Sequence, residues 1–395
     1  MPPLCSTLRI DKKPINTTIP FALDILREIL SALASESSVI LATIISTSGS
    51  TPASAFSKMV VKNEGTSWAG TVGGGCMEGD VLEAARVLYH RRAAEIMTFS
   101  LNENDMVQGL ICGGNLDVLI EPLTREDIPL IEEMKALRDD GSDCVIATLF
   151  EKGRTIFKKV LKSTGESDRL KDQWIRIASG TSRLPIDELV TETLKAHQRH
   201  ATRRVRVGEG ELILEPQQGR PHLVIFGGGH VSRYVSRTAS MSGFRVTVVD
   251  DRKEYASPER FPEADETIVV EFYDAFNHLT VRPSTYIVIV TRGHRSDEEI
   301  LEHALKTPAK YVGMIGSRRK VLATYQHLVE RGASIETLGR VHAPVGLEIG
   351  AVTAEEIGVS VVAELIHIRR GAADPVEHMS RGMSGLLDEL VRKKG

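Results

Sequence analysis

Apolar residues recur at helical spacing from Phe21 to Leu33, and a β-branched run follows from Ser38 to Ile45, so the chain opens as a helix and then a strand. A loop is expected at Ser46 to Pro52. Asp80 to Arg91 sets Val81, Leu82, Ala85 and Leu88 on one stripe, with Glu78 and Asp80 where the helix dipole favours negative charge. That places Cys76 just before a helix N-terminus. Leu116 to Ile120 predicts a strand, and Cys144 to Leu149 with Thr155 to Leu161 predicts a hairpin closed at Lys152-Gly153. From Pro221 the pattern changes to short apolar strands alternating with crossovers. The strands are expected at Leu223 to Phe226, Arg245 to Val249, Thr267 to Glu271, Tyr286 to Val290, Tyr311 to Ile315 and Arg340 to His342. Ser296 to Glu299 and Thr353 to Glu356 read as capping boxes, and the last long helix should stop near Gly371.

The fold class expected is therefore α/β. A polar leader (1–20) precedes an N-terminal mixed α/β accessory domain (21–216), and Pro216 to Pro221 reads as a linker. A C-terminal Rossmann-like domain (221–371) follows, a doubly wound parallel sheet, and then a tail (372–395) with no chemistry to assign.

Composition narrows the function classes. The 395 residues are 42% hydrophobic, which supplies core for more than one domain. With 49 Lys+Arg against 53 Asp+Glu the formal charge is −4, so no nucleic-acid partner is expected from the bulk balance. No signal or membrane-spanning run is visible, and the run Val39 to Ile45 is too short for either, so a cytoplasmic protein is expected. Cys5, Cys76, Cys112 and Cys144 are too sparse for a disulfide framework and form no C-x-x-C pair.

Two of those cysteines stand against glycine runs, Gly73-Gly74-Gly75-Cys76 and Cys112-Gly113-Gly114. Glycines let the backbone reach positive φ and approach a ligand, and a thiol near a helix N-terminus is biased towards thiolate, the form that ligates metal. Cys76 and Cys112 are thus candidate soft ligands, with Gly74, Gly75 and Gly113 shaping their turns; the alternative is a small buried hydrophobe beside a tight turn. In the second domain, Gly227-Gly228-Gly229-His230-Val231-Ser232 follows the first strand and opens a helix, with Asp250 and Asp251 at the second strand end. This is the dinucleotide fingerprint in context, so Gly227, Gly229 and His230 would face a phosphate, and Asp250 or Asp251 a ribose diol. Arg292 and His294 after the fourth strand, and Ser317 with Arg318 to Lys320 after the fifth, fall on the same carboxyl edge. Three cations at a positive helix end are unfavourable without an anion, although a solvated basic helix start has the same sequence. No histidine lies close in sequence to either Gly-Cys segment to serve as a base, which argues against hydrolase chemistry.

These residues resemble the xanthine dehydrogenase accessory proteins, the XdhC/CoxI family of molybdenum cofactor maturation factors, from about Phe21 to Gly371. The resemblance rests on Gly70-Thr71-Val72-Gly73-Gly74-Gly75-Cys76-Met77-Glu78-Gly79-Asp80, Cys112-Gly113-Gly114-Asn115, Thr291-Arg292-Gly293-His294 with Asp297, Gly313-Met314-Ile315-Gly316-Ser317, and Pro344-Val345-Gly346-Leu347-Glu348-Ile349-Gly350. It implies a cytoplasmic dimer that binds the molybdenum cofactor (molybdopterin), meets a cysteine desulfurase for sulfuration, and delivers the cofactor to an apo molybdenum hydroxylase of the xanthine dehydrogenase type. The thiols of Cys76 and Cys112 would contact the molybdenum, and the Rossmann crevice would receive phosphate or a nucleotide. Three positions depart from the family pattern: Ala53 and Phe56 replace an Arg and a Gly, and Ser232 replaces the helix-packing Gly, where its hydroxyl could still face a phosphate. The reading favours a chaperone over an enzyme. The alternatives are an NAD-dependent oxidoreductase and a thiol redox sensor pairing Cys76 with Cys112.

Overall fold

A computed structural model describes residues 24–49, 51, 55–100, 114–162, 167–179 and 184–371, the side chain of Cys76 excepted. The polar leader and the tail lie outside the described residues. Helix α1 (Ile25–Ser35) begins at Asp24, whose carboxylate accepts from the Arg27 amide at 3.2 Å. Strands β1 (Ser38–Ser48), β2 (Lys58–Lys62) and β3 (Ser67–Gly70), helix α2 (Gly75–Arg91), and strands β4 (Glu95–Ser100) and β5 (Asn115–Thr124) follow. The strands form an antiparallel sheet in the order β3-β2-β1-β5-β4. Helix α2 buries Met77, Val81, Ala85 and Leu88 on one face of it; α1 and helix α3 (Ile128–Asp139) cover the other.

A second sheet comes from β6 (Cys144–Glu151), β7 (Arg154–Lys162), β8 (Arg203–Val207) and β9 (Gly210–Gln217), ordered β7-β6-β9-β8 and backed by α4 (Ser167–Ala178) and α5 (Ile186–Arg199). The expected hairpin closes at Lys152 and Gly153, both at positive φ (49° and 75°), as a two-residue turn requires. Ile45, Leu119 and Ile213 join the two sheets, as do the ion pairs Lys58–Glu215 (2.5 Å) and Lys158–Glu121. The region expected as one mixed unit thus contains two sheets. Pro216 and Gln217, expected in a linker, finish β9: the β8 partner ends at Leu214, so the missing N–H of Pro216 costs no ladder bond on that side. What remains of the linker is short and pinned, since Gly219 donates to Asp143 at 2.9 Å and Arg220 donates to the Arg138 carbonyl at 2.7 Å.

The third sheet is parallel. Its elements are β10 (His222–Phe226), α6 (His230–Met241), β11 (Arg245–Asp250), β12 (Glu266–Val269), β13 (Thr285–Ile289), α7 (His294–Ala304), β14 (Tyr311–Met314), α8 (Arg318–Glu330), the short α9 (Ile335–Leu338), β15 (Val341–His342) and α10 (Ala354–Arg370). The order β12-β11-β10-β13-β14-β15 is the doubly wound 3-2-1-4-5-6 arrangement. Both faces are buried, α6 and α10 on one and α7 and α8 on the other, which is why these strands read as continuous apolar runs. The capping box at Thr353 forms, and α10 ends on Gly371 at φ 60°. The one expected at Ser296 does not: α7 starts three residues earlier, with Gly293 as its cap, and Ser296 lies inside the helix.

Candidate functional site

The segment before α2 is dictated by its glycines. Gly73, Gly74 and Gly75 take φ values of 126°, 79° and 62°, a conformation side chains resist, so glycine is needed there for backbone rather than for space. Glu78 holds the turn, accepting from the Gly74 amide at 3.1 Å and from the Thr71 hydroxyl. Helix α2 consequently starts at Gly75, and Cys76 is its second residue instead of preceding it. Cys112 and Gly113 lie outside the described residues. Cys144 is a structural thiol, buried in β6, with burial foremost and Glu215 next pushing it up to about 12. Phe56, standing where the family pattern has glycine, keeps a left-handed backbone at φ 74°. Ala53 lies outside the described residues.

The other candidate residues gather at the carboxyl edge of the parallel sheet. Chain order reverses between β10 and β13, the switch point where open sheets bind ligands, and α6, α7 and α8 all point their N-termini there. The three glycines after β10 have separate duties. A Cβ on Gly227, at φ 102°, would sit 2.6 Å from the Val290 carbonyl oxygen, and one on Gly228 would sit 2.0 Å from that of Tyr255. Those two permit close backbone packing. Gly229 caps α6 in extended backbone, and a Cβ there would meet nothing within 4 Å. It opens the space over the helix amides that a phosphate would fill.

Asp250 is 1% exposed and turned inward, accepting from the Gly228 amide at 2.7 Å and from the Arg252 amide and guanidinium at 2.9–3.1 Å. Burial opposes its ionisation, but the Arg252 guanidinium and the two amides hold its carboxyl below the ordinary value. With both oxygens committed, Asp250 orders the glycine loop. One Asp251 oxygen is buried 3.4 Å from the Arg252 guanidinium; the other receives Arg292 at 3.4 Å, across the mouth of the crevice. Arg252 stacks 3.4 Å over the Tyr255 ring, and Arg260 donates to the Gly228 carbonyl at 2.8 Å. No local sequence signal marks Arg260, which lies 32 residues from its partner.

His230 and His294 are the exposed first residues of α6 and α7, and Arg318 is that of α8. Ser317 caps α8, accepting from the Lys320 amide at 3.3 Å. The basic cluster is divided: Lys320 is drawn inward to pair with Asp297, while Arg318 and Arg319 stay exposed with no ion-pair partner among the described residues. Ser232 is fully buried, so its hydroxyl does not face the crevice; it occupies the helix-packing position expected of glycine. Across that packing, Gly358 of α10 lies so close to α6 that a Cβ would be 2.7 Å from that of Tyr234. Among the described residues no group of three or more His, Cys, Asp or Glu is placed to hold a metal ion, and no helix is long and apolar enough to cross a membrane.

Comparison with known proteins places these features in context. Residues 223–365 match the XdhC Rossmann domain, and residues 32–100 match the XdhC and CoxI family. A Bacillus subtilis protein, named as a probable subunit of xanthine dehydrogenase, is 25% identical over 346 residues, covering 86% of this chain and 96% of the relative. The uncharacterized protein YqeB of Escherichia coli is 38% identical over 154 residues, 39% of this chain; the match spans 28% of YqeB's own length. Among solved structures, one described as a xanthine dehydrogenase from Bacillus halodurans superposes with a TM-score of 0.68 at 22% identity, over 89% of this chain and 98% of that one, which establishes the shared fold.

Proposed function

The chain belongs to the XdhC and CoxI family, and from that premise we propose that it is an accessory factor for a molybdenum hydroxylase of the xanthine dehydrogenase type. In this reading it binds the molybdenum cofactor, keeps it through sulfuration by a cysteine desulfurase, and passes it to the apo-hydroxylase, acting as a cytoplasmic dimer. The observation that carries the proposal is the opening over Gly229 at the switch point: bare helix amides, with Arg292 and Arg318 at neighbouring strand ends and no side chain filling the space. That donor set fits the phosphate end of the cofactor. When bound, the cofactor supplies the molybdenum and the sulfur-accepting chemistry. The chain's own residues hold it: the α6 amides and Arg292 grip the anion, and the thiols of Cys76 and Cys112 offer soft ligands.

One feature favours a nucleotide-bearing ligand, the carboxylate of Asp251 directly after β11, the position suited to a ribose hydroxyl. It supports either a dinucleotide form of the cofactor or, as the second reading, an NAD-dependent oxidoreductase. Full-length protein purified from a host that makes the cofactor separates them. The proposal expects molybdenum and pterin to copurify, with Cys76→Ala and Cys112→Ala each lowering bound molybdenum at unchanged melting temperature. Cofactor-free protein that transfers hydride with NAD would overturn it.

A further inference from the structure

The opposite edge of the parallel sheet carries a second site. At the amino ends of β10, β11, β13 and β14, against the segment 138–143 of the preceding domain, lies a cavity of about 450 Å³, within the size range of small-molecule sites. Its walls are basic. Two of its arginines are already neutralised: Arg138 grips Asp24 at 2.6 and 2.7 Å, and Arg220 grips Asp265 at 3.0 Å. Asp143, an acid on the wall, accepts the Gly219 amide at 2.9 Å. Lys310, Arg369 and Arg370 also line the cavity, and none has a carboxylate partner among the described residues.

Two donors behind this wall are buried and unanswered. Tyr286, the first aromatic residue of β13, is 1% exposed, and its hydroxyl has no hydrogen-bond partner; nor has the buried Nε of Arg369, whose Nη1 donates to the Ser242 carbonyl at 2.9 Å. Leaving such donors unpaired is costly. The Tyr286 ring is held in place by Phe244 edge-on at 5.5 Å and by Tyr311 stacked at 5.9 Å, so the hydroxyl has a fixed position.

We propose that this cavity binds a small phosphate-bearing anion, its charge balanced by Lys310, Arg369 and Arg370. A dianionic phosphate matches several unpaired cations better than a single carboxylate does. The site is separate from the crevice, which lies at the carboxyl ends of the same strands, so it stands or falls independently of the cofactor reading.

The test is calorimetric titration of full-length Gly229→Val protein, in which the crevice is obstructed, with inorganic phosphate and with acetate. Saturable phosphate binding with weaker acetate binding is expected. Arg370→Glu should weaken phosphate binding at least about tenfold, while the ligand-free melting temperature stays close to that of the parent. Lys310→Glu should weaken it further at low salt than at high salt. No saturable binding, a cavity holding water only, would overturn the proposal; so would affinity unchanged by both substitutions.

Discussion

Gly228→Ala is expected to destabilise the Rossmann-like half by about 3 kcal/mol, whereas Gly229→Val, at the adjacent glycine, should fold and bind pyrophosphate more weakly. The contrast follows from what each Cβ would meet. At Gly228 it would lie 2.0 Å from the Tyr255 carbonyl oxygen and 2.6 Å from its carbon, both backbone atoms that cannot rotate aside. The same shift would disturb the amide that Asp250 accepts at 2.7 Å. At Gly229 an added Cβ meets no protein within 4 Å, and the backbone, at φ −70° and ψ −168°, suits any residue. Valine there gives up only a modest capping preference, about 1 kcal/mol. It does, however, fill the space above the α6 amides. Losing two hydrogen bonds to a charged group corresponds to about a hundredfold in affinity for inorganic pyrophosphate. Denaturant unfolding and titration of both variants check the pair; wild-type stability in Gly228→Ala, or wild-type affinity in Gly229→Val, would contradict this account of the loop.

Lys320→Met is expected to cost roughly 3–5 kcal/mol near pH 7, because it leaves the fully buried Asp297 without its cation. Burial already pushes the Asp297 carboxyl above its ordinary value, against the pull of Lys320 and of the Thr291 hydroxyl. A carboxyl that binds its proton more tightly when folded loses stability as pH rises from the ordinary carboxylate value through its raised one, and regains it as pH falls. Removing Lys320 widens that window upward. The variant should therefore approach wild type on moving from about pH 7 to about pH 5, and Asp297→Asn in the same chain should recover much of the loss at neutral pH. Equal cost at both pH values, or no cost, would mean that the pair contributes little.

The parallel sheet was legible because strands buried on both faces carry unbroken runs such as Leu223 to Phe226 and Tyr286 to Val290, and their ends place the crevice residues. The preceding domain was legible only in part. β8 reads Arg-Arg-Val-Arg-Val, with Val205 buried and its neighbours polar, so its short alternation was lost among charges. Helix α2 begins earlier than its apolar stripe suggests, since glycines at positive φ do not look helical in sequence. Within the candidate site, the strand ends gather the expected residues at one edge, but side-chain direction was not legible. Asp250 and Asp251 are adjacent and chemically identical, yet one faces the loop and the other the crevice. Lys320 looked like an anion ligand because its partner Asp297 lies 23 residues away. The basic cavity at the amino edge was invisible, since Tyr286, Lys310 and Arg369 meet only through the fold.

The most direct test of the delivery role is the molybdenum content of a xanthine dehydrogenase-type hydroxylase purified from cells lacking this protein and from their parent. The account predicts a hydroxylase of normal abundance and fold from the deletion strain that is poor in molybdenum and pterin, restored by the wild-type chain and not by Gly229→Val. Full cofactor loading in the absence of the protein would contradict it.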